Sequence, residues 1–269
     1  MVSYLSYLKP LEKNGLMLLC DYCGFQTFSL GHSAICSNCE LPISHGEAAL
    51  KASNPSAFSH AENIYKLVSA KRFDDARKEC DAAYHAVADL GYIYYKGLIS
   101  IKASNSAVES IRYDRQGFME ENSAFRNAAA KEAASARGYF NFIISTAKIA
   151  GRGDSVPQYL VFLSNIKLHN IKEASEALKA INPNNMQLQS YANMVMQLNA
   201  GSPESTISAA KKLLSENLFS INAMYYIAEA LADRGNYKES REIALALLDK
   251  LPKPQINRLI WRINSALSI

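Results

Sequence analysis

The chain has 269 residues, 49% of them hydrophobic and 20% charged, with a formal charge of +4. That composition excludes a disordered chain, and no segment carries the basic block that follows a phosphate backbone. No uncharged apolar run reaches the roughly 18 residues of a membrane span, and the N-terminus, MVSYLSYLKPLEKNG, lacks the order of a secretory signal. A soluble cytoplasmic protein without membrane insertion is expected.

Near the N-terminus, Cys20-Asp-Tyr-Cys23-Gly24 and Cys36-Ser-Asn-Cys39 set two C-x2-C pairs twelve residues apart. Each pair turns two thiolates toward one point, and Gly24 eases the tight turn that follows the first. Four thiolates from two such turns complete the closed tetrahedral shell of structural Zn2+. Apolar runs at Gly15–Leu19, Phe25–Leu30 and Ser33–Ile35 read as short strands. The stretch from Leu16 to Pro42 resembles a zinc ribbon, departing from it after the second pair, where Glu40 stands in place of glycine. The resemblance implies Zn2+ as cofactor, with Cys20, Cys23, Cys36 and Cys39 as its ligands. An iron site of the rubredoxin type uses the same donors, and two disulfides are the alternative in an oxidising compartment. Four cysteines fill the shell, so a structural ion is expected rather than a catalytic one. His32 and His45 then read as surface residues. Residues 1–49 set only Lys9 and Lys13 against Glu12, Asp21, Glu40 and Glu47, a balance unsuited to phosphates. A head this small draws its folding energy from its metal. Chelation is therefore expected to unfold residues 15–45 and leave the remainder intact.

After a polar linker at Lys51–Ser56, a helical period runs from Ala57 to Tyr84 and turns at Lys71. Cys80 lies in its second helix and reads as a small buried side chain rather than a fifth ligand. Residues 84–103 are apolar on nearly every face, the mark of a helix buried between others. Tyr92, Tyr94 and Tyr95 point to different faces of it and read as core and rim. Residues 104–156 form an irregular helical insert; its run Ala128–Ala136 suits close helix packing, and Gly151-Arg-Gly-Asp-Ser155 is a helix-breaking loop. Helix pairs follow at Gln158–Ile181, turning at His169-Asn170, and at Met186–Leu214, turning at Gly201. In the latter, Ser202 is a candidate N-cap before Pro203.

The strongest signal is Ile221 to Pro252, where two amphipathic segments meet at Arg234-Gly-Asn-Tyr237. Small residues, Ala228 and Ser240, stand where the helices must approach, and a proline closes the unit. This resembles a tetratricopeptide (TPR) repeat, a helix–turn–helix of about 34 residues. Phe73 and Ala76 occupy the same places after the turn at Lys71, and Ala174 after that at His169. Turns at His169, Gly201 and Gly235 are spaced by 32 and 34 residues. The resemblance implies a mainly α fold: a TPR-like α-solenoid of antiparallel helix pairs over residues 51–269, behind a small β zinc ribbon in residues 1–50. Pro254–Leu267, with Arg258, Trp261 and Arg262, reads as the terminal capping helix.

If the first helix of each pair lines a groove, as in TPR arrays, Tyr225, Tyr226, Glu229 and Asp233 face it and are the candidate partner-binding residues. Glycine-rich phosphate loops, His-Glu-x-x-His and Gly-x-Ser-x-Gly are absent from the sequence. The expectation is a non-enzymatic adaptor or assembly subunit that binds another protein within a larger complex. The alternative is a nucleic-acid-associated factor using the ribbon, which the charge distribution disfavours.

Overall fold

The computed structural model describes residues 15–29, 34–110, 119–149, 155–200, 202–215 and 221–267. His32, the loop at 151–154 and the turn at Gly201 lie outside them, as do Lys9 and Lys13. Each C-x2-C pair is the turn of its own β-hairpin. Strand β1 (Leu16–Leu19) pairs antiparallel with β2 (Gln26–Ser29), Leu16 facing Ser29 and Leu19 facing Gln26. Strand β3 (Ala34–Ile35) pairs with β4 (Pro42–Ile43), Ala34 facing Ile43. The Leu19 N–H donates to the His45 carbonyl at 3.0 Å, returning the end of the head to its first strand.

The remaining described residues are mainly helical: α1 (Glu47–Ser53), α2 (Pro55–Ser69), α3 (Phe73–Val87), α4 (Leu90–Glu109), α5 (Met119–Ile149), α6 (Ser155–Lys167), α7 (Ile171–Ala180), α8 (Met186–Asn199), α9 (Pro203–Ser215), α10 (Ile221–Asp233), α11 (Tyr237–Ala246) and α12 (Lys253–Leu267). Each helix from α1 to α12 packs on the next, and α4, α6, α8 and α10 also touch in succession. The result is a row of helix hairpins, α2–α3, α4–α5, α6–α7, α8–α9 and α10–α11, in which α4, α6, α8 and α10 form one layer. The irregular insert supplies α5, which pairs with α4 along the most extensive helix contact. Gly97 makes that approach possible, since a Cβ there would lie 2.6 Å from the Phe140 ring. The Arg77 guanidinium spans both oxygens of Glu132, at 2.8 and 3.1 Å, and so ties α3 to α5. Helix α12 buries Ile256, Leu259 and Ile263 and leaves Arg258, Trp261 and Arg262 outside, the two-sided character a terminal helix needs.

Three hairpin turns are built alike. Lys71, His169 and Gly235 all take a left-handed backbone, with φ of 58°, 59° and 78°. The following amide reaches back five residues in each: Arg72 to the Leu67 carbonyl, Asn170 to that of Asn165 and Asn236 to that of Leu231. This closure satisfies helix-end carbonyls that otherwise lack partners. Five residues after each turn position come Ala76, Ala174 and Ser240, and Thr206 stands equivalently after residue 201. All four are fully buried. Small side chains there let the second helix seat against the first; Ser240 Oγ reaches the Ala228 carbonyl at 2.6 Å.

The head does not stand apart from this row. Leu18, the four cysteines, Ile35, Leu41 and Ile43 belong to the same hydrophobic cluster as Ile64, Tyr95, Leu163, Tyr191 and Ile227. Residues of α2, α4, α6, α8 and α10 all meet the head, which therefore lies along the layer of first helices. Among the described residues, the cysteine knuckles and the helices consequently share one core, beside which Leu19, Leu50 and Ala57 form a small second cluster.

Candidate metal centre

The cysteine turns are near copies of each other. The amide of Gly24 donates to the Cys20 carbonyl at 2.9 Å, and that of Glu40 to the Cys36 carbonyl at 3.0 Å. Cys20 N–H closes on the Phe25 carbonyl at 3.0 Å, and Cys36 N–H on that of Leu41 at 2.8 Å. These two knuckles bring the four Sγ atoms within 4.8 Å of one another, all fully buried and none disulfide-bonded. The Cys20–Cys39 and Cys23–Cys36 sulfurs are 3.5 and 3.6 Å apart. A disulfide needs about 2.05 Å. Tetrahedral metal–sulfur bonds near 2.3 Å instead place sulfurs roughly 3.8 Å apart, so the donor set fits a cation. Burial pushes the Cys20 and Cys39 thiols up, whereas the three surrounding thiols and the Asn38 amide hold Cys36 down in spite of its burial. Four crowded sulfurs ionise together only around a positive charge. Cys80 is also buried but lies outside the cluster; burial raises its thiol, as expected of an inert side chain.

The helices position both knuckles. On the first, Tyr92 donates to the Asp21 carbonyl at 3.1 Å, and Tyr22 donates to Asp89, the N-cap of α4, at 3.0 Å. Gly24 presses against α2: a Cβ there would meet the Ala61 carbonyl oxygen at 2.3 Å. On the second, Asn38 donates to the Tyr95 hydroxyl at 3.2 Å and accepts from Lys102 at 2.9 Å. Its amide donates to Cys36 Sγ at 3.4 Å. Lys102 thus brings positive charge toward the sulfurs, although burial pushes its ammonium below the ordinary value. Asn222 of α10 donates to the Cys36 carbonyl at 3.2 Å.

Glu40 is the most heavily engaged residue of the head. Tyr159 of α6 donates to its carbonyl at 2.7 Å. Its carboxylate accepts from Lys167 at 2.8 Å, from Tyr191 of α8 at 3.4 Å and from Tyr226 of α10. Burial alone would raise this carboxyl; the Lys167 charge and the donated hydrogen bonds hold it below the ordinary range. The backbone of Glu40 takes φ 64°, beside φ 65° at Gly24. The residue that departs from the ribbon pattern therefore adopts the conformation glycine would have, and its side chain joins the head to three successive hairpins.

The residues expected to line an open groove are placed differently. Tyr226 faces Glu40 and is 8% exposed; Tyr225 is 6% exposed and donates to Glu229 at 2.6 Å. Asp233 pairs with Arg262 of the terminal helix at 3.3 Å. Tyr226 is covered because the second knuckle lies against α10. Tyr92 and Tyr95, expected only as core and rim, spend their hydroxyls on the head. Tyr159, Tyr191, Asn222 and Lys167 carried no individual motif. Their one sequence trace is that Tyr159, Tyr191 and Tyr226 recur at 32 and 35 residues, close to the hairpin period.

No protein family, curated protein or solved structure matches this chain. No helix among the described residues is long and apolar enough to cross a membrane.

Proposed function

We propose that this protein is a non-enzymatic interaction scaffold, a TPR-like array of helix hairpins built around a structural zinc ion held by Cys20, Cys23, Cys36 and Cys39. When bound, zinc supplies a closed, redox-inert cross-link between the two knuckles. The observation that carries the reading is the enclosure of the centre: four sulfurs with no exposed surface leave no ligand position for a substrate. The polar groups that converge beside it, Tyr159, Tyr191, Tyr226, Lys167 and Asn222, are spent on holding the second knuckle. Sulfurs 3.5–3.6 Å apart support metal ligation over disulfides. The nucleic-acid reading gains nothing from this geometry, because both knuckles are turned against helices.

Partner contact is proposed at the α10–α12 end, where Arg262 pairs with Asp233 and reaches the Glu229 carbonyl and α12 leaves Arg258 and Trp261 outside. The indole there is 72% exposed, and exposed Trp and Arg are the side chains that most often anchor protein partners. Native purification of the tagged full chain, with metal analysis of the recovered protein, tests the reading. A stoichiometric protein partner and a single zinc per chain are expected, and Trp261→Ala should lose the partner while keeping the metal. A folded chain recovered alone overturns the scaffold reading, and iron in place of zinc overturns the metal assignment.

A further inference from the structure

Glycine is the residue a knuckle asks for after its second cysteine, because the backbone there is left-handed. The first knuckle has it at Gly24. The second has Glu40 at nearly the same φ, a left-handed conformation that disfavours any residue with a Cβ. A residue kept against that cost needs a compensating contact, and the contact is visible. Tyr191 and Tyr226, from consecutive hairpins, and Lys167, at the end of α6, point donors at one carboxylate, while Tyr159 takes the same residue's carbonyl. Hydrogen bonds to a charged acceptor are stronger than neutral ones, and three of them converge on this carboxylate against the strain of a single residue.

We propose that the layer formed by α6, α8 and α10 is a carboxylate-binding site whose resident ligand is the chain's own Glu40. The head is thereby latched to the array by an interaction separable from metal binding. The site is built by repetition, with Tyr159, Tyr191 and Tyr226 recurring at nearly the hairpin period and aimed at the same residue. The metal holds the knuckles to each other; Glu40 holds the second knuckle to the helices. This assignment is independent of whether the scaffold recruits a partner.

The test is Glu40→Gly in the full chain, which gives the second knuckle the glycine of the first and touches no cysteine. Metal content should be unchanged. Amide hydrogen exchange in residues 34–43, and in α8 and α10, should accelerate on the order of tenfold or more, the equivalent of losing one charge-assisted hydrogen bond. Tyr226→Phe, which leaves volume and packing nearly intact, should accelerate the same amides by a smaller factor. Sodium acetate serves as the carboxylate probe: against a sodium chloride control of equal ionic strength, it should raise the Tm of Glu40→Gly more than that of the wild-type protein. Unchanged exchange in Glu40→Gly overturns the latch. Loss of metal from that variant overturns the separation of latch from metal site. Acetate acting equally on both proteins, or on neither, overturns the carboxylate site.

Discussion

Two residues at equivalent places in the knuckles show how differently one backbone conformation can be enforced. Gly24 is confined from outside, by the Ala61 carbonyl that any Cβ would strike. Glu40 is held through its own side chain. Gly24→Ala should therefore cost about 3 kcal/mol or more in denaturant unfolding, since overpacking adds to left-handed strain. Glu229 offers a pH test at the same scale. Burial holds its carboxyl above the ordinary value of 4.5, although Tyr225 and Arg262 act against this. The folded protein then binds that proton more tightly than the unfolded chain, so the group favours folding below pH 4.5 and ceases to as pH rises through the raised value. Glu229→Gln should be more stable than wild type at neutral pH, with the difference shrinking on acidification. Chemical denaturation at several pH values checks this, and a difference that grows toward acid contradicts it.

Among the elements, the hairpin turns give the clearest expectations. Lys71 and His169 occupy a left-handed position that Gly235 occupies without strain, and a Cβ at Gly235 would meet nothing within 4 Å. Lys71→Gly and His169→Gly should each stabilise the protein by about 0.5–1 kcal/mol, and Gly235→Ala should destabilise it by about 1 kcal/mol. Thermal or urea unfolding measures all three. Opposite signs would mean that these turns are not equivalent. The turns were legible in the chain because the local residues carry the information: a glycine or polar residue, then a small residue five positions on. Helix α5 was not legible as part of the row. Its buried positions, Ala129, Ala136, Phe140, Ile143 and Ala147, are mostly small, and the largest among them, Phe140, finds its space at Gly97 on the opposing helix, distant in sequence.

Across the whole molecule, the shared core changes what metal removal should do. A head with its own core would unfold alone. Here Cys20, Cys23, Cys36 and Cys39 sit in one cluster with side chains from α4, α6, α8 and α10. Binding free energy at such a site is folding free energy for whatever packs on it. Chelation under reducing conditions should accelerate hydrogen exchange in α4, α6, α8 and α10 together with residues 15–46, and lower the Tm of the entire chain. Loss confined to the head would show that the helices stand without it.

The sequence by itself determined what short-range chemistry can encode: two cysteine turns with ligand spacing, amphipathic helices and turns near a regular period. It also marked Glu40 as the departure from the ribbon pattern. Only the tertiary structure decided that the head lies against α4, α6, α8 and α10 and that Tyr226 serves Glu40. The reason is physical: a hydroxyl's partner 186 positions away in the chain is set by how hairpins stack and where the head lands on them. Neither leaves a local pattern in the residues themselves.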